Sequence, residues 1–281
     1  MIVDTHVHVW QIPPIAPVGQ TSPKFINLPD EPATVEELIT DMDENGVEKA
    51  VLVQTSFSTW DNGYVADSAT KYPDRLVSMG LLDPSNADNA SLVKYWLEEC
   101  GMSGFRFHPM YYDEESILTA ERNVPMWEAI EAGGGVVQVH MYAKHAHQIS
   151  HVASLYPTIP IILDHLCYPL VSEFPGFESH AAVIELSRYP NVFVKVSDVH
   201  GRSVQDYPYK DVHPYIKQVK DAFGIERLMW GTGYPGVHRT KYGWPTLADE
   251  LMLVMDGYDW LSDTERQRLL GGTASTVWKF A

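Results

Sequence analysis

Short apolar runs alternate with longer amphipathic segments along the whole chain of 281 residues, and this alternation restricts the possible folds most strongly. Alternating strand and helix patterns are typical of βαβ units and a parallel sheet. Eight such strands in a chain of this length predict one (β/α)8 barrel domain that spans residues 1–281. The predicted strands are Ile2–Val9, Lys49–Gln54, Leu76–Leu82, Gly104–His108, Val136–His140, Ile159–His165, Val192–Ser197 and Arg227–Gly231.

Capping signals indicate where some of the intervening helices begin and end. Thr34 and Ser262 are each followed three positions later by a glutamate, Glu37 and Glu265, which is the pattern of a capping box. A helix is also predicted over Val124–Ala132, ended by the three glycines that follow it.

The acidic composition restricts the classes of partner. The formal net charge of −17 argues against nucleic acid and anionic membrane surfaces, so we expect a small-molecule substrate. We find no basic leader segment and no apolar stretch of the length that a membrane span needs. Two cysteines, Cys100 and Cys167, are too few for a disulfide framework and favour a reducing, cytoplasmic location. A homodimer remains open.

The first strand carries two histidines, His6 and His8, two positions apart. Side chains on a strand alternate between its faces, so both imidazoles point the same way, about 7 Å apart along the strand. They could converge on one metal ion. The alternative is a pair of core histidines with other hydrogen-bond partners, although an interior strand seldom spends two polar positions on one face.

Further histidines end three other predicted strands, at His108, His140 and His165. Barrel enzymes concentrate their chemistry at the carboxyl ends of the strands. Arg106 shares a face with His108, and an arginine there would bind a carboxylate or oxygen-rich substrate, or else pair with an interior carboxylate such as Asp4.

Other parts of the chain leave two interpretations open. Strand parity does not decide whether Lys195 points inward or outward. Aromatic residues near the strand ends, among them Trp10 and Tyr142, suit either a cyclic substrate or loop packing. The proline-rich connection over residues 11–33 is a candidate pocket wall or a covering loop.

Together these segments resemble the amidohydrolase superfamily, in particular the amidohydrolase-2 group of lactonases and of decarboxylases related to aminocarboxymuconate semialdehyde decarboxylase. The resemblance covers nearly the whole chain in order. It rests on Asp4-Thr5-His6-Val7-His8, Phe105-Arg106-Phe107-His108-Pro109, His140, Leu163-Asp164-His165-Leu166, Val194-Lys195-Val196-Ser197 and Gly271-Gly272-Thr273-Ala274. The resemblance implies that His6, His8 and His140 hold a divalent metal, and that His165 is catalytic, supports a ligand or is a further ligand.

One position departs from the family pattern. The family places an aspartate after strand eight that touches the metal and accepts a proton, and Gly233 stands at that position here. Hydrolysis still needs a group that accepts and returns a proton. Asp198, His200 and His165 are the candidates for this role in a natural variant. The alternatives are an inactivated hydrolase, or a protein that binds or eliminates without a metal.

These observations predict a metal-dependent hydrolase that opens a lactone bearing a carboxylate or several hydroxyls. In this hypothesis Arg106, His108, Tyr142 and Trp10 bind the substrate, while His165 stabilises the oxyanion. Zinc is the default metal because the site is rich in histidine, with manganese or an empty site as alternatives. A decarboxylase acting on an unsaturated or aromatic acid and a non-catalytic binding barrel are the rival functions.

Overall fold

The computed structural model describes residues 1–11, 29, 31–58, 60–235, 241 and 243–280, so the predicted loop over residues 11–33 lies largely outside the described part. Eight parallel strands form one sheet in which each strand pairs with the next in the sequence. This confirms the predicted barrel. The strands are β1 Val3–Val7, β2 Lys49–Val53, β3 Leu76–Leu81, β4 Gly104–Phe107, β5 Val136–Val139, β6 Ile161–Leu163, β7 Val192–Val196 and β8 Leu228–Trp230.

Helices connect the strands and cover the outside of the sheet. The capping boxes at Thr34 and Ser262 are both present, and the helix predicted over Val124–Ala132 has those bounds. No helix in the described ranges is long and apolar enough to cross a membrane. The α-helices described are α1 Val35–Asn45, α2 Gly63–Lys71, α3 Asn89–Lys94, α4 Val124–Ala132, α5 Ala146–Leu155, α6 Ala181–Ile184, α7 His213–Phe223, α8 Leu247–Met252, α9 Asp263–Gln267 and α10 Ala274–Val277.

Successive side chains of each strand lie on opposite faces of the sheet, and this divides the apolar core into two clusters. Strand residues such as Leu52, Phe105 and Val194 belong to the large apolar cluster that includes the inner faces of the helices. Residues of the opposite parity, including Val51 and Ile162, form a second cluster together with Trp278. This second cluster fills the lower barrel interior, so polar side chains of the same parity are left at the carboxyl ends of the strands.

Hydrogen bonds between β1 and the segment after β8 join the first and last strands. The Thr5 hydroxyl donates to the Trp230 carbonyl at 2.6 Å. The Gly233 amide donates to the His6 carbonyl at 2.7 Å, and the His8 amide donates to the Tyr234 carbonyl at 2.9 Å. The position of the absent aspartate is therefore fixed directly against the His6-x-His8 segment.

Candidate active site

A cavity of about 380 Å³ opens at the carboxyl ends of the strands. This volume suits one small organic molecule. Its lining brings together most of the residues that the sequence nominated, and they come from six different strands and the loops after them. The lining residues are His8, Trp10, Thr55, Ser56, Phe57, Arg106, Tyr111, His140, His165, Asp198, His200, Thr232, Gly233, Pro235 and Trp244.

His6 and His8 converge as the sequence predicted, and their Nε2 atoms lie 3.2 Å apart. Lys195 Nζ lies 3.0 Å from His6 Nδ1, and His8 Nδ1 lies 2.6 Å from the Val53 carbonyl oxygen. An ammonium group only donates and a carbonyl only accepts. The contacts therefore form a chain in which Lys195 donates to His6, His6 donates to His8, and His8 donates to Val53.

Asp164 is the centre of charge beneath the cavity and is fully buried. Its Oδ2 accepts from Arg106 Nε at 2.7 Å, and its Oδ1 lies 2.9 Å from Lys195 Nζ and 3.5 Å from His6 Nδ1. Burial opposes ionisation, but Lys195 and Arg106 together hold the pKa of Asp164 well below its usual range. One buried carboxylate thus balances two buried cations, and the interior carboxylate that pairs with Arg106 is Asp164 rather than Asp4.

His165 reaches the cavity by a route that strand parity does not predict. The sequence extends the sixth strand through His165, on the face of Leu163, but the strand ends at Leu163, which packs outside the barrel. His165 to Tyr168 then all have positive φ values, between 53° and 60°. This left-handed turn is costly for side chains with a Cβ, and it carries His165 to the inside, next to Asp164.

The hydrogen bonds of His165 fix its protonation pattern. Its Nε2 lies 3.3 Å from an Nη atom of Arg106, which can only donate, so Nε2 accepts. Its Nδ1 consequently carries the proton and donates to Ser197 Oγ at 2.9 Å. In this form the group that can donate toward the cavity is the Arg106 guanidinium, with His165 holding it in place.

His140 lines the cavity beside His165, at a ring-centroid distance of 5.3 Å. Its Nε2 hydrogen-bonds to the Tyr168 hydroxyl, which the left-handed turn brings across the barrel. Its buried Nδ1 has no hydrogen-bond partner among the described residues. His108 stacks on Tyr111 at 4.9 Å and lines a smaller adjoining recess, so it lies behind the cavity wall rather than on it.

Burial keeps the imidazoles of this site neutral. Desolvation lowers the pKa of His8 to about 3. It also holds the pKa values of four other histidines well below the usual value for imidazole, with the cations Arg106 or Lys195 adding to the effect; these are His6, His108, His140 and His165. Neutral imidazoles are the form that binds a metal or accepts a proton.

Asp198 and His200 follow β7 and line the same cavity as Gly233. Asp198 Oδ2 lies 3.4 Å from an Nη atom of Arg202, and its Oδ1 lies 3.7 Å from His200 Nε2. His200 Nδ1 lies 3.4 Å from Oε1 of Glu250, a residue of α8 that is only 3 % exposed. Two candidate proton acceptors therefore stand where strand eight supplies none.

The predicted aromatic contacts are divided between two places. Trp10 is buried, lines the cavity and packs edge-on against Phe57 at 5.1 Å. Tyr142 is 45 % exposed and is absent from the lining of this cavity; it contacts the outer side of Tyr168 at 5.5 Å and lines a separate surface recess. The structure thus places Trp10 at the expected site and Tyr142 outside it.

The residues present fit a divalent ion. The donor atoms of His6, Asp164 and His165 all lie within 4.8 Å of one another. The 3.2 Å separation of the His6 and His8 Nε2 atoms is close to the spacing of about 3.3 Å between two nitrogens on one tetrahedral zinc. Binding there requires His6 to move its proton from Nε2 to Nδ1, where Asp164 is the available acceptor. Of the predicted ligands, His6 and His8 meet, while His140 faces Tyr168.

Four residues have contacts in the site that the sequence did not predict. Asp164 and Lys195 point inward, and the parity they share with Ile162 and Phe193 was the available signal. Ser197 carried no signal of its own beyond the strand-seven motif. Tyr168 is one of the aromatic residues that follow the strand ends in the sequence, but its contact with His140 depends on the left-handed turn.

Fold and site together define a (β/α)8 barrel enzyme with a histidine-rich polar centre. The amidohydrolase family model matches residues 3–280. The chain therefore belongs to the amidohydrolase family, and it is a hydrolase of that family. Among curated proteins it is similar to an L-fucono-1,5-lactonase of Burkholderia ambifaria, with 25 % identity over 97 % of this chain and 93 % of that one.

Solved structures give the same fold. A protein of Pseudomonas putida provisionally assigned as a 2-pyrone-4,6-dicarboxylic acid hydrolase superposes with a TM-score of 0.79 and 25 % identity, covering 98 % of this chain and 96 % of that one. An amidohydrolase of Burkholderia multivorans with bound zinc has a TM-score of 0.75 and 20 % identity, over 99 % and 98 % of the two chains. Metal binding thus occurs in proteins of this fold, and this chain has a candidate site.

Proposed function

We propose that this protein hydrolyses a lactone, opening the ring of a small substrate that bears a carboxylate or several hydroxyls. The observation that carries the proposal is the cavity of about 380 Å³ in which Arg106 lies beside the neutral imidazoles of His8, His140 and His165. The likeness to an L-fucono-1,5-lactonase and to a candidate pyrone dicarboxylate hydrolase supports the same class of substrate.

Arg106 is the binding group for the oxygen-rich part of the substrate. Its Nε donates a hydrogen bond to Asp164 and one Nη donates to His165, whereas a guanidinium has five N–H donors in all. Arg106 lines the cavity, and its remaining donors suit a carboxylate or the oxygen on which charge develops. His165 and Asp164 hold the guanidinium in position, so it needs no reorganisation when substrate enters. Trp10 and Phe57 supply an apolar wall for the ring.

The reaction requires water as the nucleophile and a group that takes its proton. Attack forms a bond from the water oxygen to the lactone carbonyl carbon, and collapse breaks the ring C–O bond, which gives a hydroxy acid. His165, Asp198 and His200 are the proton acceptors nominated from the sequence. Both nitrogens of His165 are engaged in hydrogen bonds. Asp198 or His200 is therefore the better proton acceptor.

His6 and His8 would hold a divalent ion, together with Asp164 or His165. When bound, the ion would polarise the lactone carbonyl. Zinc is the metal we propose, because neutral imidazole and carboxylate are ligands it accepts.

A substrate panel with two readouts tests the proposal. Purified protein with added zinc, with added manganese and after chelation is offered L-fucono-1,5-lactone, other sugar lactones and unsaturated lactones that carry a carboxylate. Acid release from at least one lactone is expected, and it should fall strongly in Arg106→Met but not in His151→Gln, an exposed histidine on α5.

The rival functions give different results in the same panel. Carbon dioxide release from aromatic or unsaturated acids, without acid release from any lactone, would identify a decarboxylase. Saturable binding of lactones with no turnover under any metal condition would identify a binding barrel.

We also propose a cytoplasmic location and a homodimer. Both cysteines, Cys100 and Cys167, are free, which suits a reducing compartment. Light scattering on the purified protein decides the oligomeric state, and fractionation of the source cells decides the location.

A further inference from the structure

His200 and Glu250 form a side-chain pair at the edge of the cavity. His200 lies on the loop after β7 and lines the cavity, whereas Glu250 lies on α8, after β8. Their side chains meet at 3.4 Å, between His200 Nδ1 and Glu250 Oε1, which is an ion-pair distance. Glu250 is a carboxylate on a helix otherwise packed by Leu247 and Leu251, and only 3 % of it is exposed. A buried carboxylate is costly unless a partner compensates for it.

His200 lines the cavity that also includes Gly233, the position at which the family aspartate is missing. His200 and Gly233 line the same cavity, and the Nδ1 contact with Glu250 leaves Nε2 as the nitrogen on the side of Asp198. His200 Nδ1 makes no hydrogen bond among the described residues, and the Glu250 carboxylate 3.4 Å away is the acceptor on that side of the ring. An acceptor on the Nδ1 side favours the tautomer with the proton on Nδ1 and the lone pair on Nε2. The ring of Trp244 packs at 5.6 Å on His200 and restricts its rotation.

Asp198 is less suited to accept the proton. Its carboxylate pairs with Arg202, whose guanidinium in turn lies 4.4 Å above the ring of Tyr168. A carboxylate that already balances a cation is a weaker base than one that does not. Asp198 instead lies 3.7 Å from His200 Nε2, where a negative charge stabilises the imidazolium after proton transfer.

We propose that His200 is the general base of this enzyme, held in position by Glu250, and that the pair takes over the work of the aspartate missing at Gly233. This inference rests on the proposed lactone hydrolysis. His200 Nε2 takes a proton from water as the water oxygen bonds to the carbonyl carbon. It returns that proton to the ring oxygen when the ring C–O bond breaks. Glu250 touches neither water nor substrate and is a positioning residue.

Kinetic variants test the roles on whichever lactone the panel identifies. His200→Gln should lower kcat by about 10²-fold to 10⁴-fold with little change in KM, as expected for the loss of a general base. Glu250→Gln should lower kcat by about 10-fold or more. Because the two act as a unit, Glu250→Gln should add nothing further in the His200→Gln background. Additive losses would mean that Glu250 is only structural, and an unchanged kcat in His200→Gln would overturn the base assignment.

The pH profile separates positioning from folding. Charged and titratable groups around His200 are Asp198 and Arg202 on its own loop and Glu250 on α8, and across the cavity Arg106, His8, His140 and His165. The base must be unprotonated to accept a proton, so kcat/KM should rise to a plateau on the acid side of its pH profile. Removing the Glu250 charge destabilises the imidazolium, and the acid limb should therefore move to lower pH in Glu250→Gln. A limb that stays in place would contradict the proposal.

Nitrogen NMR of the histidine rings gives a readout that needs no substrate. His200 should show the Nδ1-protonated tautomer in the parent protein, and Glu250→Gln should shift it toward the mixture of an exposed ring such as that of His151. The same tautomer in both proteins would overturn the pairing whatever the substrate is. A confirmed pairing in a protein that hydrolyses no lactone would overturn the proposed function, and the base role with it.

Discussion

The Lys195 ammonium lies 2.9 Å from the Asp164 carboxylate, and both side chains are fully buried in the barrel. An isolated buried ion is costly, so each of these two charges stabilises the other inside the barrel. Lys195 is also the first donor in the chain that runs through His6 and His8. The pair thus connects the stability of the barrel interior to the state of the histidines above it.

Asp164→Asn should be strongly destabilising. The substitution leaves Lys195 and Arg106 as buried cations without their shared carboxylate, and breaking a buried pair costs about 3–5 kcal/mol. Urea unfolding near neutral pH measures the loss. Lys195→Met should cost less, because Asp164 keeps Arg106, and the Asp164→Asn/Lys195→Met double variant should recover part of the loss. Strictly additive losses would show that the pair is not coupled.

Lys195 should also weaken metal binding. Its ammonium donates to His6 Nδ1 and thereby keeps the proton on Nε2, and its charge repels a divalent ion. Burial lowers the pKa of Lys195 to about 8 although Asp164 opposes the shift, so the ammonium is largely retained at neutral pH. We expect Lys195→Met to bind zinc at least several-fold more tightly in a competition titration.

The double variant His6→Ala/His8→Ala should lose zinc from protein purified without added metal, as measured by mass spectrometry. Equal zinc content in the parent protein, Lys195→Met and His6→Ala/His8→Ala would mean that the metal binds away from His6 and His8.

Gly233→Asp tests whether the missing aspartate still matters. Gly233 has φ of 77°, a region that aspartate tolerates better than most residues, so the substitution should cost about 1 kcal/mol of stability. With His200 present, activity should change less than tenfold. In the His200→Gln background it should rise markedly, while Gly233→Asn, which has the same shape and no basic carboxylate, should not restore it. A large gain from Gly233→Asp alone would mean that the parent chain lacks a working base.

Acid should destabilise the protein before its carboxylates titrate. Five site histidines have folded pKa values far below their ordinary value, so the unfolded chain binds more protons once the pH falls below about 6.5. The contribution of these histidines to the free energy of unfolding is therefore fully present above that pH. It decreases as the pH falls, by roughly 1 kcal/mol per histidine at pH 5.5. Urea midpoints of chelator-treated protein at pH 7.5, 6.5 and 5.5 measure this. Equal midpoints would show that these rings are solvated. The residues are His6, His8, His108, His140 and His165.

Periodicity alone determined the architecture of this protein. Eight apolar runs separated by helical patterns can bury their faces as parallel strands under helices, and the pairing of each strand with its successor follows. Alternation also determined that His6 and His8 share a face, and that His140, directly after β5, points into the barrel. These features depend on neighbours in the sequence, which a single chain already displays.

Tertiary structure alone decided how the polar residues pair. Asp164 meets Arg106, Lys195 and His6 from three other strands, and Glu250 on α8 meets His200 on the loop after β7. The left-handed turn from His165 to Tyr168 overrides strand parity, because ion pairs and hydrogen bonds inside the barrel compensate for its strained backbone. Such contacts join residues far apart in the chain, and a pattern of neighbouring residues carries no information about them.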